Sequence, residues 1–133
     1  MAFVVEVPVR FRDIDGMGHV NNAVYFTYLE TARGEFYRQK IGIKSIEEIG
    51  FILAHASCDF KAPIQYGEIV VVTLRVADVG DSSFEFRYEL RGKDGTLFAT
   101  ARSVQVSYDY DAKKPKPIPP KTRKHFEEEM AES

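Results

Sequence analysis

NNAVYFTYLETARGEFYRQK, residues 21–40, constrains how the rest of the chain can fold. Val24, Tyr28, Ala32 and Phe36 recur every four residues, and Tyr25 and Leu29 widen the stripe. Such spacing gathers the apolar side chains on one side of an α-helix. The pattern predicts a helix from Asn22 to Lys40, ended by Gly42. Asn21 or Asn22 serves as N-cap, because a side-chain oxygen can accept from an orphan N–H of the first turn. Apolar and aromatic residues cover much of the circumference, so the helix should be buried on more than one side. Glu30 and Arg33, three apart, are spaced to pair on its surface.

On either side of this helix the hydrophobic period is two. Residues 3–12 alternate, with Phe3, Val5, Val7, Val9 and Phe11 on the inner face. Pro8 cannot donate to a ladder, which places this strand at a sheet edge or a bulge. Ser45–Ile49 reads as a short helical turn. Strands follow over Phe51–Pro63, Glu68–Val79, Phe84–Arg91 and Leu97–Tyr110, with a hairpin turn at Asp94-Gly95. Tight turns between these four would make sequential strands antiparallel neighbours. AKKPKPIPP, residues 112–120, is an extended strap, and Lys121–Ala131 a short terminal helix. One apolar helix and one antiparallel sheet must bury each other. The expected fold class is therefore α+β, a five-stranded antiparallel sheet wrapped around one long helix.

The 133 residues suit one domain spanning 1–133, the last twenty or so forming a proline- and lysine-rich tail. Hydrophobic residues are 44% and charged residues 29%, an ordinary globular balance. Net charge is −2, which argues against a general nucleic-acid binder. Lys113, Lys114, Lys116, Lys121, Arg123 and Lys124 crowd near the C-terminus. They read first as a solvated tail, with a phosphate contact as the functional alternative. The lone Cys58 excludes an internal disulfide and a cysteine metal cluster, and reads as a small buried hydrophobe. Three dispersed histidines make no zinc set, so no metal is expected. No apolar run is long enough to span a membrane, and the N-terminus lacks the pattern of a signal peptide. A cytoplasmic location follows as the expectation.

The segment with chemical content is DIDGMGHVNN, residues 13–22. Asp15 and His19 lie four apart on a loop. Gly16 and Gly18 permit close backbone approach to a ligand, and a helix N-terminus with unpaired N–H groups follows at once. Donors fixed at the helix start can stabilise the oxyanion of thioester hydrolysis, with a carboxylate beside them. The carboxylate either attacks the carbonyl or takes a proton from water. A thiol, with a pKa near ~8.5, leaves readily as thiolate, so a full triad is not required. Bland readings stand beside this one. Asp13 reads as a turn residue bonded to its own backbone, and His19 alone as a structural hydrogen-bonding residue. His55 reads as a core or pocket-wall histidine, and the aromatic stripe as packing.

VRFRDIDGMGHVNNAVYFTYLETAR, residues 9–33, resembles the opening of the hotdog-fold acyl-CoA thioesterases of the 4-hydroxybenzoyl-CoA thioesterase type. CDFKAPIQYGE, GDSSFEF and LFATARSVQVSYD extend the likeness over roughly residues 4–110. The resemblance implies an enzyme that hydrolyses acyl-CoA to free acid and CoA. It implies a homodimer or homotetramer with active sites at the subunit interface, and coenzyme A as part of the substrate with no other cofactor. Asp15 matches the family's catalytic carboxylate, and the Asn22 N–H matches the donor that holds the thioester carbonyl. Gly18, Asn21 and Tyr25 fall on the substrate side. Ser83, Arg87 and Lys61 are the implied contacts to CoA phosphates. GHVNN is similar to the plant acyl-ACP thioesterases, which leaves acyl carrier protein open as the carrier. Met17 stands where their asparagine would be, so the role of His19 stays open. Three rivals remain: a hotdog enoyl-CoA or acyl-ACP hydratase, whose motif carries Asn-Pro before the histidine, a non-catalytic acyl-CoA binder, and a purely structural or interaction protein, against which the Asp15 motif argues.

Overall fold

The computed structural model describes residues 2–45 and 48–132. In chain order the elements are β1 (Phe3–Pro8), a 3-10 turn (Phe11–Asp13), α1 (Asn22–Phe36), β2 (Phe51–Phe60), β3 (Ile69–Val79), β4 (Ser83–Arg91), β5 (Leu97–Asp109), β6 (Lys114–Pro115) and α2 (Pro120–Glu132). All strand pairs are antiparallel, in the order β1-β3-β4-β5-β2, with the two-residue β6 paired to β5. The sheet curls around α1, as the pairing of one apolar helix with one sheet requires.

Helix α1 forms where the four-residue repeat predicts it. Tyr25, Tyr28, Leu29, Ala32 and Phe36 are buried. Tyr37–Ile41 continues it as a π turn, which Gly42 ends at φ 82°, a conformation glycine adopts without a Cβ penalty. Phe36 is the hub of the aromatic packing, meeting Phe3, Phe86 and Phe126 at centroid separations of 5.6, 5.2 and 6.3 Å. Arg33 does not pair with Glu30; it donates to the Tyr88 hydroxyl at 3.3 Å.

Several expectations change. Strand β1 ends at Pro8 rather than at Arg12. Just beyond Pro8, Val9 N donates to the Glu68 carbonyl, ahead of β3, at 3.0 Å. The chain then coils, leaving Phe11 80% exposed instead of inward-facing. Strand β2 ends at Phe60, and β2 and β3 are not neighbours, because residues 61–68 form a crossover rather than a tight turn. A register shift between Leu53 and His55 reverses the side-chain alternation, so His55 is exposed opposite Val104 instead of lining the core. Cys58 is only half-buried, since β2 is an edge strand; burial, with a smaller push from Asp59, still lifts its thiol to about 11. The turn expected at Ser45–Ile49 falls partly outside the described residues; Glu48 N donates to the Ser45 carbonyl at 3.1 Å.

The basic C-terminal segment is docked on the sheet rather than a free tail, although Lys113, Lys114, Lys116, Lys121 and Lys124 stay exposed to solvent. Lys116 N and Ile118 N donate to the carbonyls of Ser107 and Asp81, and Ile118 is buried. Helix α2 then inserts Phe126, fully buried, with its ring 4.3 Å from that of Phe84 and 6.0 Å from that of Phe51. Arg123 Nη2 donates to the carbonyls of Gly80 and Asp81 at 2.6 and 2.8 Å. A lone phenylalanine among nine charged or polar neighbours gives little periodic signal, yet its ring plugs one end of the core.

Candidate functional site

The segment DIDGMGHVNN forms a small hairpin at the other end of the sheet, held against the crossover. Asn21 N donates to the Asp13 carbonyl, Asp15 N to the His19 carbonyl and Gly18 N to the Asp15 carbonyl, at 2.9, 2.9 and 3.0 Å. Ile14 and Val20 face each other as an antiparallel bridge between these rungs. Gly18 turns the hairpin at φ 82°. From below, Val20 N donates to the Ile64 carbonyl at 2.8 Å, and His19 bridges to Gln65. The crossover that breaks the tight-turn expectation is thus the seat of the loop.

Asp15 is half-buried at the hairpin. Its Oδ1 accepts from Met17 N at 2.9 Å. Oδ2 has no hydrogen-bond partner among the described residues. The donors of α1 begin directly after the hairpin. Asn21 is the N-cap, its Oδ1 accepting from Ala23 N at 2.9 Å and its carbonyl from Val24 N at 2.9 Å. The N–H of Asn22, the first helical residue, has no partner among the described residues. It points out of the positive end of the helix dipole, where a negative oxygen is favoured. Tyr25, one turn on, is buried edge-to-face against Phe60 at 4.8 Å. Burial, with smaller pushes from the neighbouring Cys58 and Glu68, raises its phenol. The His19 imidazole makes no hydrogen bond to the Asp15 carboxylate among the described residues.

The residues expected at CoA phosphates are spread out within one chain. Lys61 starts the crossover, its N donating to the Phe98 carbonyl at 2.8 Å, at the same sheet end as the hairpin. Ser83 opens β4 at the opposite end, opposite Val106. Arg87 is exposed on the face turned away from α1, where its Nε donates to Glu85 at 2.7 Å. Arg102 donates to the same carboxylate at 2.8 Å. Hydrogen bonds from Arg102 outweigh burial, and together with those from Arg87 hold Glu85 down at about 2.

One residue of the site escaped its sequence reading. Asp13 does bond local backbone, as a turn residue would, its Oδ2 accepting from Arg10 N at 2.9 Å. Yet it is only 1% exposed and also accepts from Tyr28 OH, two turns into α1, at 2.8 Å. The i,i+15 spacing carries no local signature, although Tyr28 on the inner stripe had to place its hydroxyl somewhere.

Comparison with known proteins bears on the family and the fold. Residues 9–126 match the thioesterase-like superfamily. A thioesterase from Thermus thermophilus, solved with coenzyme A and zinc, is 33% identical and superposes with a TM-score of 0.85 over 96% of this chain and 94% of its own. A 1,4-dihydroxy-2-naphthoyl-CoA thioesterase from Synechocystis is 25% identical, with a TM-score of 0.86 over 95% and 96%. A 1,4-dihydroxy-2-naphthoyl-CoA hydrolase of Nostoc punctiforme is 27% identical over 127 residues, covering 90% of this chain and 82% of that one. The chain belongs to the thioesterase-like superfamily and has the hotdog fold of a thioester hydrolase.

Proposed function

We propose that this protein hydrolyses acyl-CoA thioesters, with Asp15 as the reacting carboxylate and the Asn22 N–H as the oxyanion donor. The observation that carries the reading is the pairing of two unused groups. Asn21 saturates its neighbours Ala23 and Val24, yet the Asn22 N–H is left open, one hairpin away from the free Oδ2 of Asp15. A thioester carbonyl oxygen placed on the Asn22 N–H gains its negative charge against a donor already aimed, which is worth far more than a donor that must reorganise. Oδ2 supplies the nucleophilic oxygen, either its own or that of a water whose proton it takes. The tetrahedral species then collapses, the C–S bond breaks, and CoA leaves as thiolate; on the nucleophilic route the acyl group is left on Asp15 as an anhydride, which water hydrolyses to the free acid and the restored carboxylate. The activities named for the relatives support this class of substrate.

The active form is proposed to be a dimer joined through β2. Edge β1 ends in Pro8, which removes one ladder donor, whereas edge β2 has no proline and exposes Leu53 and Phe60 at 49% and 46%. A depression of about 150 Å³ between α1 and β2, lined by Phe26, Thr27, Glu30, Arg33, Leu53 and Ala56, is open on that side. Antiparallel pairing of two β2 strands sets each hairpin at the sheet end of Ser83 of the partner subunit. Lys61 and a Ser83 so placed would then share one CoA. Sedimentation should give twice the chain mass, and Leu53→Asp should give the single-chain mass; a native protein sedimenting as a monomer rejects the dimer.

Thiol release from a panel of aliphatic and aromatic acyl-CoAs tests the reaction. The native protein should release CoA, and Asp15→Asn should lose at least ~10²-fold in kcat. Hydration of an enoyl-CoA without thiol release, or tight binding without turnover, would replace the thioesterase reading.

A further inference from the structure

The Asp13 carboxylate has a full set of partners and no room for substrate. Its Oδ2 accepts from Arg10 N and from Tyr28 OH, and its Oδ1 accepts from Arg10 Nε and Nη2 at 3.1 and 2.9 Å. Arg10 lies over it, 55% exposed, while Asp13 itself is sealed. Asp13 also touches α1 twice. Its carbonyl accepts from Asn21, the cap, and its carboxylate from Tyr28, six residues after Asn22. At about 1.5 Å rise per residue the backbones of Asn21 and Tyr28 are roughly 10 Å apart along the axis, and the Tyr28 side chain reaches back to meet the residue that Asn21 holds. Two such points fix both where the hairpin starts and the angle at which it leaves the helix. A single contact at the cap would leave it free to pivot.

Asp15 is two residues further along the same arm. With Asp13 pinned, the rung from Asp15 N to His19 carries that fix to the reacting carboxylate. The Asn22 N–H lies between the two anchor points, on the rigid side of the joint.

We propose that Asp13, Tyr28 and Arg10 form a brace that sets the distance between the Asp15 carboxylate and the Asn22 N–H, making Asp13 and Tyr28 positioning residues for the reaction. The inference rests on the thioesterase reading. Burial alone would raise the Asp13 carboxyl, but hydrogen bonds from Arg10 and Tyr28 outweigh it and keep the group ionised, so the brace stays charged where the enzyme works. Burial and the bond to Asp13 raise the Tyr28 phenol, which therefore remains a donor.

Steady-state kinetics on the best acyl-CoA should be measured for native protein, Tyr28→Phe, Asp13→Asn and Asp15→Asn, beside Phe84→Leu as a core control at the far sheet end. Tyr28→Phe keeps the ring packed and deletes one oxygen, so it tests the brace even if Asp13→Asn does not fold. A displacement of about 1 Å at a reacting centre lowers rate by roughly 10²-fold. Tyr28→Phe should therefore lose about tenfold in kcat, and Asp13→Asn more, with KM changed by less than about twofold. Phe84→Leu should lower the melting temperature and leave kcat alone. If Asp15→Asn is inactive while Tyr28→Phe keeps native kcat, the brace is overturned and the thioesterase reading stands. If Tyr28→Phe and Phe84→Leu lose activity only in proportion to melting temperature, the role is structural and the brace is likewise overturned. A native protein that releases no thiol from any substrate removes both.

Discussion

The two ends of the sheet are closed in opposite ways. At the end where β4 begins, α2 seals the core with Phe126, which packs against Phe36, Phe51, Phe84 and Phe86. At the end where α1 begins, a hydrogen-bonded hairpin covers the core and leaves a donor and a carboxylate oxygen unused. An aromatic plug gains from every atom it hides and leaves nothing for a ligand. The hairpin holds its shape with backbone rungs and one buried carboxylate, so it can keep Asp15 and Asn22 available. On the proposed mechanism, stability and chemistry fall at different ends of one helix.

Variants at the two ends should separate these properties. Phe126→Ala is expected to cost about 3–5 kcal/mol of stability, the range for removing a buried aromatic ring, with kcat of the remaining folded protein close to native. Urea denaturation with parallel assays would show it, and a large loss of kcat at unchanged stability would break the division. Asp15→Asn should do the reverse. Asparagine Oδ1 can still accept from Met17 N, so the melting temperature should hold while kcat falls at least ~10²-fold. Acid sharpens the contrast further. Asp13 and Glu85 have folded-state pKa values below the ordinary carboxylate range, Glu85 at about 2. Their stabilisation is complete above the unfolded values of roughly 4 and is lost as pH falls from there toward their folded values. Melting temperature should stay level from neutral pH down to about 5 and then drop, and Asp13→Asn together with Glu85→Gln should flatten that drop. An unchanged acid limb in the double variant would show that other carboxylates dominate.

How much of this was legible varies by element. The four-residue stripe of α1 and the alternation of Phe84, Phe86, Tyr88 and Leu90 are local patterns, and each led to the correct element and face. Asn21 as N-cap also depends only on its immediate neighbours. Strand order was less accessible. Nothing within residues 61–68 shows that they cross the sheet instead of turning back. His55 was misplaced because a shift at Leu53/His55 inverts the face of an otherwise regular strand. Phe126 lay hidden in a charged helix, since one buried ring makes no period.

Parts with local causes are written in the residues themselves: an apolar helix, amphipathic strands, a glycine-bearing loop and a carboxylate four residues from a histidine at a helix start. That Asp13 is buried and fully bonded while Asp15 keeps an oxygen free came from long-range packing. Both are aspartates in one loop, and their difference depends on Arg10 and on a tyrosine fifteen residues away. Local propensity sets which backbone shapes a segment can take. Which polar groups are saturated and which stay open is set by long-range packing, because each buried donor and acceptor must find its partner wherever the fold brings one.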